Sequence, residues 1–313
     1  MKVLMTGAHG FVGGALVTAL RRDGAEPVAL VRPQGAGRRS AADDPPQVIY
    51  DPAEGPEGIV DEEALRRLGP YDALVNLAGA NLGDARWTHR RKEVLVESRT
   101  RTTRLVVDVL RRLGLLPPVI VSASAVGYYG DRGDELLDEG SSSGDGFLAQ
   151  LCRDWEEAAL DARPAARVVL VRSGIVLAPS GGALAKQLPL FRLGLGGRLG
   201  RGTQYTSWIT LRDEVDVLRR AILDPELTGP VNAVAPAPVT NAELTAALAK
   251  ALGRPAVLAV PRPALDATFG REMTTEMLLA SQRVVPRRLL DRGHAFADED
   301  VESALERLLR DGS

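Results

Sequence analysis

Three glycines near the start of the chain have the spacing of a phosphate-binding turn. Gly7, Gly10 and Gly13 follow a short apolar segment and precede a stretch of helical periodicity. Such a turn lets backbone N–H groups approach a pyrophosphate, and the first turn of the next helix adds a partial positive charge. We therefore predict a dinucleotide site whose contacts come from Thr6, Gly7, His9, Gly10, Phe11, Val12 and Gly13.

The residue after the second predicted strand indicates which dinucleotide binds. NAD-selective sites usually have Asp or Glu there, which accepts hydrogen bonds from the ribose hydroxyls. This chain has Arg32, with Arg38 and Arg39 close behind. A guanidinium can pair with a 2′-phosphate and stack on adenine. The sequence therefore favours NADP(H), and the alternative is that Arg32 only begins an exposed loop.

Apolar segments alternate with amphipathic segments through the first half of the chain, which predicts strands and helices in turn. The predicted strands cover residues 2–6, 27–31, 73–78, 118–124 and 167–173, and the predicted helices cover 12–22, 62–68, 87–113 and 146–162. Continuously apolar strands separated by helices indicate a parallel sheet that is covered on both faces.

The expected fold is therefore α/β, a Rossmann-like doubly wound parallel sheet with a smaller C-terminal α+β lobe. We assign residues 1–178 to the dinucleotide-binding domain, to which later segments return, and residues 179–313 to the substrate-side lobe. Residues 32–47, rich in Pro, Gly and charge, are predicted to form a mobile surface loop.

Composition argues against several classes of protein. The 39 Lys and Arg residues nearly balance the 41 Asp and Glu residues, so we expect no nucleic-acid or membrane partner. Cys152 is the only cysteine, no metal-ligand set is recognisable, and no apolar segment approaches the roughly 20 residues of a membrane span. The first residues lack a cleavable signal. We expect a soluble cytoplasmic protein that takes a small-molecule substrate, and a homodimer is left open.

Motifs spread over nearly the whole chain resemble one family. They are TGAHGFVG (6–13), VNLAGANL (75–82), SASAVGYYGDRG (122–133), RSGIVLAPSGGAL (172–184) and SQRVVPRRLLDRGHAF (281–296). Together they are similar to the atypical, epimerase-like branch of the extended short-chain dehydrogenase/reductases. Members of that branch are often described as nucleoside-diphosphate-sugar epimerases, and some bacterial ones as cell-division inhibitors, while their physiological substrate is generally not established.

The resemblance implies further cofactor contacts. It assigns Val31 and Arg32 to the adenosine phosphate and Val176 to the neighbourhood of the nicotinamide, and it implies that Arg99 approaches the cofactor from the edge of the sheet. It also assigns Leu77, Ala78 and Gly79, at the end of the predicted strand over residues 73–78, to the cofactor. Ser122, in the predicted strand over residues 118–124, is a further candidate contact.

The helix expected to supply proton transfer lacks the residues for it. In the reductase superfamily a Tyr exchanges the substrate proton, and a Lys four residues later lowers its pKa. Here the two matching registers pair Phe147 with Leu151 or Leu148 with Cys152, all of them unsuited to that role. The stripe formed by Phe147, Leu151 and Trp155 is predicted to pack on the sheet.

The remaining catalytic candidates lie in or just after the predicted strand over residues 118–124. Ser124, with Ser122 as the alternate, could fix a substrate carbonyl, and either Tyr128 or Tyr129 could act as acid, base or hydrogen-bond donor. The alternative for each Tyr is a packing role without chemistry.

A polar and aromatic segment in the C-terminal half is predicted to form the substrate-side wall, with Gln204, Tyr205, Ser207 and Trp208. Two functions stay open. The first is an NADP(H)-dependent reductase or epimerase acting on a small polar, sugar-like carbonyl or alcohol. The second is an NADP(H)-binding protein without catalysis that acts through a protein partner.

Overall fold

The computed structural model describes residues 1–33, 44–52 and 59–310. Within these ranges the strands are β1 (Lys2–Thr6), β2 (Glu26–Val31), β3 (Gln47–Asp51), β4 (Ile59–Val60), β5 (Ala73–Asn76), β6 (Val119–Ala125), β7 (Leu136–Leu137), β8 (Arg167–Ser173), β9 (Ile175–Leu177), β10 (Gly197–Leu199), β11 (Tyr205–Thr206), β12 (Trp208–Thr210), β13 (Gly229–Ala233), β14 (Val239–Thr240), β15 (Leu258–Val260) and β16 (Arg283–Val284).

Helices connect most of these strands. In chain order they are α1 (Phe11–Arg22), α2 (Glu62–Leu68), α3 (His89–Arg112), α4 (Phe147–Leu160), α5 (Gly182–Arg192), α6 (Leu211–Leu223), α7 (Asn241–Leu252), α8 (Arg262–Phe269), α9 (Arg271–Met273), α10 (Arg287–Asp291) and α11 (Val301–Arg310). No helix in the described ranges is both long enough and apolar enough to cross a membrane.

Local sequence signals fix several helix ends. The Thr240 hydroxyl accepts a hydrogen bond from the Glu243 N–H, and the Glu243 carboxylate accepts one from the Thr240 N–H, so a capping box starts α7. That helix ends at Gly253, whose φ of +61° is left-handed and suits glycine. Thr88 and Thr210 start α3 and α6 in the same way, with hydroxyls that accept N–H bonds from the first turn.

The main sheet has eight strands in the order β13-β8-β6-β5-β1-β2-β3-β4. All neighbours are parallel except β3 and β4, which pair antiparallel. The chain leaves β1 in one direction to form β2 and later returns to the other side of β1 to form β5. This switch point opens a crevice at the carboxyl ends of the strands, where ligands of such sheets bind.

Successive side chains of each strand face opposite sides of the sheet and build two cores. Val3 and Met5 of β1 pack in a cluster with residues of α1 and α6, whereas Leu4 packs in a second cluster with residues of α2, α3 and α4. The strands must therefore be apolar on both faces, as the sequence indicated. The predicted Rossmann-like doubly wound fold is confirmed.

A third apolar cluster lies in the C-terminal lobe and joins α5, α7 and α11. Leu184, Leu188 and Phe191 of α5 pack there with Leu248 of α7 and Leu305 of α11. Segments after residue 178 also belong to the main sheet, because β13 pairs with β8 and α6 covers one face. The lobe is thus held directly against the carboxyl ends of the strands.

The five predicted strands and four predicted helices are all present, with ends shifted by a few residues at most. Strands β3, β4 and β13, which lie at the two ends of the main sheet, were not predicted from the sequence. Most of the loop predicted over residues 32–47 lies outside the described residues, and its last residue, Gln47, begins β3.

Candidate functional site: a cofactor cleft and an adjoining cavity

A cleft of about 480 Å³ lies at the switch point between β1 and β5. Of the residues predicted to bind the cofactor, its wall contains Gly7, His9, Gly10, Val31, Arg32, Leu77, Ala78 and Gly79. The cleft therefore brings together the glycine turn, the end of β2 and the loop after β5, as a dinucleotide site requires.

The glycine turn has no room for side chains. Gly7 has a φ of +68°, and a Cβ there would lie 2.7 Å from the carbonyl oxygen of Leu77. A Cβ on Gly13 would lie 2.1 Å from the carbonyl oxygen of Gly7. Helix α1 thus starts close against the turn, and its free N–H groups are available to a pyrophosphate. These features fit a dinucleotide.

Two predicted cofactor contacts are instead part of a buried network behind the cleft. The Thr6 hydroxyl donates to Asn76 Oδ1 at 2.7 Å and accepts the N–H groups of Leu77 and Ala78, each at 3.1 Å. Asn76 Nδ2 donates to the Ser122 hydroxyl at 3.2 Å. Thr6 and Ser122 are fully buried. The structure corrects their predicted role, because they hold the loop that forms the cleft.

Three further predicted contacts do not place their side chains in the cleft wall. The Phe11 ring lies against Gly181 and Gly182, and the side chains of Val12 and Val176 pack against the core on one face of the sheet. Because side chains alternate along β9, the neighbours of Val176 line the adjoining cavity instead.

Arg32 lies at the exposed rim of the cleft, next to the buried Val31. Tyr50 is also in the wall, and the charge of Arg32 acts on its phenol, although burial raises the pKa of Tyr50 overall. Arg38 and Arg39 lie outside the described residues. The guanidinium of Arg32 is therefore accessible to a ligand in the cleft.

Arg99 of α3 joins the cleft to a second cavity. A Cβ on Gly79 would lie 3.0 Å from Arg99 Cζ, so the guanidinium rests directly against the cleft. The same guanidinium lies 5.0 Å from the centroid of the Trp155 ring, and its Nη1 donates to the carbonyl of Leu95 at 3.0 Å. Burial lowers the pKa of Arg99 to about 10, so the side chain stays charged at neutral pH.

The second cavity has a volume of about 340 Å³ and lies between the ends of β6 and β8 and the C-terminal lobe. Helix α4 contributes Leu148, Leu151, Cys152 and Trp155 to its wall. These include the positions where a Tyr and a Lys would stand in the reductase superfamily. The cavity wall is therefore apolar at the α4 positions that carry the proton-transfer Tyr and Lys in the reductase superfamily.

The stripe on α4 does not pack on the sheet, which corrects the prediction. Leu151 and Trp155 face the cavity, and the Phe147 ring meets the edge of Trp87 at a centroid distance of 5.2 Å. None of the three belongs to the two clusters that cover the sheet. Burial also raises the pKa of the Cys152 thiol to about 11, so the thiol is neutral.

Ser124 and Tyr129 lie in a buried polar network and not at the cavity. The Ser124 hydroxyl donates to Glu156 Oε1 at 2.7 Å, and Arg172 binds both oxygens of Glu156 at 2.7 and 2.8 Å. The Tyr129 hydroxyl accepts from Arg172 Nη1 at 3.1 Å and donates to Asn232 Oδ1 at 2.7 Å. Every polar group in this chain of contacts thus has a partner.

This network corrects the predicted placement of Ser124 and Tyr129 beside the nicotinamide. Tyr129 is fully buried, and burial raises the pKa of its phenol to about 12. Tyr128 remains partly exposed, with the Arg172 guanidinium 3.4 Å from its ring centroid, but it is not part of the cavity wall either.

Of the four predicted substrate contacts, Tyr205 and Ser207 line the cavity, whereas Gln204 and Trp208 do not. Trp208 is fully buried and its Nε1 donates to the carbonyl of Ala237 at 3.0 Å. Gln204 Nε2 donates to the carbonyls of Leu199 and Leu278. These two side chains stabilise the lobe, which corrects their assignment to the substrate. Ser207 is in the wall, but its hydroxyl already donates to the carbonyl of Gln282.

One polar pair at the cavity was not predicted from the sequence. Ser173, at the end of β8, is in the wall, and its hydroxyl is hydrogen bonded to Glu214 Oε1 of α6 at 2.6 Å. Burial raises the pKa of Glu214 to about 7. A signal was available, because Glu214 stands between Leu211 and Leu218 at the three- and four-residue spacing of the apolar face of α6.

The fold, the glycine turn and the cleft define a dinucleotide-binding α/β protein. The model of the NAD dependent epimerase/dehydratase family matches residues 3–233, and the model of a domain of unknown function, DUF1731, matches residues 260–308. The chain belongs to the NAD dependent epimerase/dehydratase family.

Relatives match over nearly the full chain. Epimerase family protein Mb2239 of Mycobacterium bovis is 42% identical over 304 residues, which are 97% of this chain and 96% of that protein. The human epimerase family protein SDR39U1 is 35% identical over 312 residues, which are 99% of this chain and 100% of that protein. The resemblance inferred from the motifs is confirmed.

Two solved structures extend the comparison. The crystal structure of human SDR39U1 (isoform 2) with NADPH aligns with a TM-score of 0.87 at 33% identity and covers 99% of each chain. The crystal structure of the nucleoside-diphosphate sugar epimerase from Corynebacterium glutamicum aligns with a TM-score of 0.75 at 35% identity, over 98% of this chain and 58% of that one. The NADPH of the human protein agrees with the cofactor expected from Arg32.

Proposed function

We propose that this protein is an NADP(H)-dependent oxidoreductase or epimerase that acts on a small molecule bound in the cavity beside the cofactor cleft. The observation on which this depends is the position of Arg99, whose guanidinium lies against Gly79 of the cleft and is also part of the cavity wall. A ligand in the cavity would therefore be next to a dinucleotide in the cleft.

The cleft residues support NADP(H) as the cofactor. The glycine turn and the first N–H groups of α1 would hold the pyrophosphate, and Arg32 at the rim would pair with the 2′-phosphate. The NADPH of the human relative supports the same choice. When bound, the nicotinamide supplies or accepts a hydride.

Ser173 and Glu214 are the proposed proton-transfer pair, in place of the absent Tyr and Lys. In a reduction, the Ser173 hydroxyl would give its proton to the substrate oxygen that gains negative charge, and the neutral Glu214 carboxyl would return a proton to Ser173. In an oxidation the same two transfers would run in reverse. Their contact of 2.6 Å allows the transfer, and a carboxyl with a pKa of about 7 can both give and accept protons near neutral pH.

The test is to titrate the purified protein with NADPH and then to follow the loss of reduced-nicotinamide absorbance with a panel of aldehydes, ketones and nucleotide sugars. Turnover of any compound that also binds in the cavity supports the proposal. Binding of NADPH without turnover across the panel would favour the alternative, an NADP(H)-binding protein that acts through a partner. The apolar face of α4 is the observation that keeps this alternative open.

A further inference from the structure

We infer that the substrate cavity takes an uncharged, mainly apolar carbonyl or alcohol compound, and not a nucleoside diphosphate sugar. This inference deepens the proposed function and rests on it, because it concerns the ligand that would meet the cofactor. It departs from the small polar, sugar-like substrate that the sequence favoured.

The cavity wall is built mainly from aliphatic and aromatic side chains. Helix α4 contributes Leu148, Leu151 and Trp155 from one side, and the C-terminal lobe contributes Leu184, Leu244 and Leu248 from the other. A ligand gains affinity when its own apolar surface and these side chains are removed from water together. A sugar ring with several hydroxyls would instead lose hydrogen bonds to water where it meets these side chains.

Charge on the wall argues against a diphosphate. Among the described residues of the wall, Arg99 and Glu276 are the charged ones. Arg99 rests against the cofactor cleft, and Glu276 Oε2 accepts the N–H of Leu148 at 2.9 Å, which keeps a carboxylate at the start of α4. A diphosphate buried beside that carboxylate would be repelled and would need more than one cation for compensation.

Other cations near the cavity are engaged elsewhere. Lys92 Nζ pairs with Glu272 at 2.8 Å, and Lys186 Nζ pairs with Asp84 at 3.4 Å. The Arg283 guanidinium lies over the Tyr205 ring at 4.9 Å and is not part of the wall. Arg91, whose charge acts on Arg99, donates from Nη2 to the carbonyl of Asn81 and is not part of the wall. Within the described residues, Arg99 is therefore the one cation in the cavity wall.

Some polar groups of the wall are hydrogen bonded within the protein, and the side chains of Gln187, Tyr205, Thr206 and Gln282 also line it. Ser207 Oγ donates to the Gln282 carbonyl and accepts the Val284 N–H, and Asn241 Oδ1 accepts the Leu199 N–H. Ser173, which meets Glu214, is the polar group at the end of β8 where the sheet opens into the cavity. An uncharged, mainly apolar molecule with a small number of oxygens matches this distribution.

The experiment compares ligand classes on NADPH-saturated protein by calorimetry. Acetophenone and octanal are the apolar probes, and UDP-glucose is the nucleotide sugar. At least one apolar probe should bind about tenfold or more tightly than UDP-glucose. Tighter binding of UDP-glucose, or no measurable binding of either apolar probe, would overturn the inference.

A matched pair of variants on α5 localises the binding. Ala183 is in the cavity wall and Ala185, two residues later, is not. Ala183→Phe should fill part of the cavity and weaken the apolar probe by about tenfold or more, whereas Ala185→Phe should leave its affinity within about twofold. Equal affinities in both variants would show that the probe binds elsewhere and would refute the assignment.

NADPH affinity, measured first and separately, distinguishes this inference from the proposed function. If the unmodified protein does not bind NADPH, the proposed function is rejected, whichever probe binds. Normal NADPH binding together with a preference for UDP-glucose would reject only the inference about substrate class. Circular dichroism of both Phe variants confirms that they are folded before affinities are compared.

Discussion

The Ser173 hydroxyl and Glu214 Oε1 are 2.6 Å apart, at the end of β8 where the sheet meets the cavity beside the cofactor cleft. Glu214 is buried, and its Oε2 has no hydrogen-bond partner within the described residues. A carboxyl in such surroundings favours its neutral form, because burial penalises the charged form. The pair therefore provides a proton next to a cavity whose α4 wall has no acid or base in the Tyr and Lys positions.

The first prediction concerns the role of this pair in turnover. With any substrate found, Ser173→Ala should lower kcat by about 100- to 10,000-fold, because it removes the group in contact with the reacting oxygen. Glu214→Gln should also lower kcat and flatten its pH profile. Steady-state kinetics with NADPH measure both effects.

Ser180→Ala, an exposed serine seven positions later, is the matched control and should leave kcat unchanged. The affinity for NADPH should stay the same in all three variants. Undiminished turnover in Ser173→Ala would remove this residue from the reaction.

The second prediction concerns stability against pH. Burial raises the pKa of Glu214 from 4.5 to about 7, so the folded state holds a proton that the unfolded state has already released in this interval. The stabilisation is fully present below about pH 4.5 and is lost as the pH rises through about 7. Its upper limit is on the order of 3 kcal/mol.

Urea unfolding at about pH 5 and about pH 8 measures this loss, and Glu214→Gln should reduce it. Asp213, whose pKa burial also raises, contributes equally to both proteins and cancels in the comparison. The same loss in Glu214→Gln as in the unmodified protein would assign the effect to other groups.

The third prediction tests the structural role of Tyr129. Tyr129→Phe removes the hydroxyl that links Arg172 to Asn232 and leaves buried polar groups without a partner. The free energy of unfolding should fall by about 1 to 3 kcal/mol. Denaturant unfolding measures it, and any turnover per folded molecule should be unchanged.

Tyr128→Phe provides the comparison, because it keeps a ring beneath the Arg172 guanidinium. Its effect on stability should be smaller than that of Tyr129→Phe. If the free energy of unfolding of Tyr129→Phe equals that of the unmodified protein and its turnover is lost, Tyr129 acts in the chemistry and the structural assignment is wrong.

The fourth prediction concerns cofactor choice. Arg32→Ala should weaken NADPH binding by much more than NADH binding, because charge-assisted hydrogen bonds to a 2′-phosphate contribute roughly 1.5 to 3 kcal/mol each. Calorimetry with both dinucleotides measures the difference. Arg22→Ala, an exposed arginine in the last turn of α1, is the control. Equal losses for the two dinucleotides in Arg32→Ala would remove the reason for preferring NADP(H).

The sequence determined the fold and the cofactor cleft because both depend on local signals. The glycine spacing fixes a turn that has no room for a Cβ, and continuously apolar strands between helices specify a parallel sheet that is covered on both faces. The absence of a Tyr and a Lys from α4 was also evident from the sequence alone. These features need no knowledge of distant partners.

Only the tertiary structure decided which polar side chains face the cavity. Ser124 lies at the end of β6 and Tyr129 just after it, so either could have faced a ligand. In the structure, Glu156, Arg172 and Asn232, which are distant in sequence, bind them in a buried network. Ser173 was not predicted as a site residue because its partner Glu214 lies on α6, 41 residues further along the chain. Helical and strand periodicity predicts which face of an element is apolar. A buried polar group, however, is stable only where the fold supplies a hydrogen-bond partner. Long-range packing decides which residue that partner is.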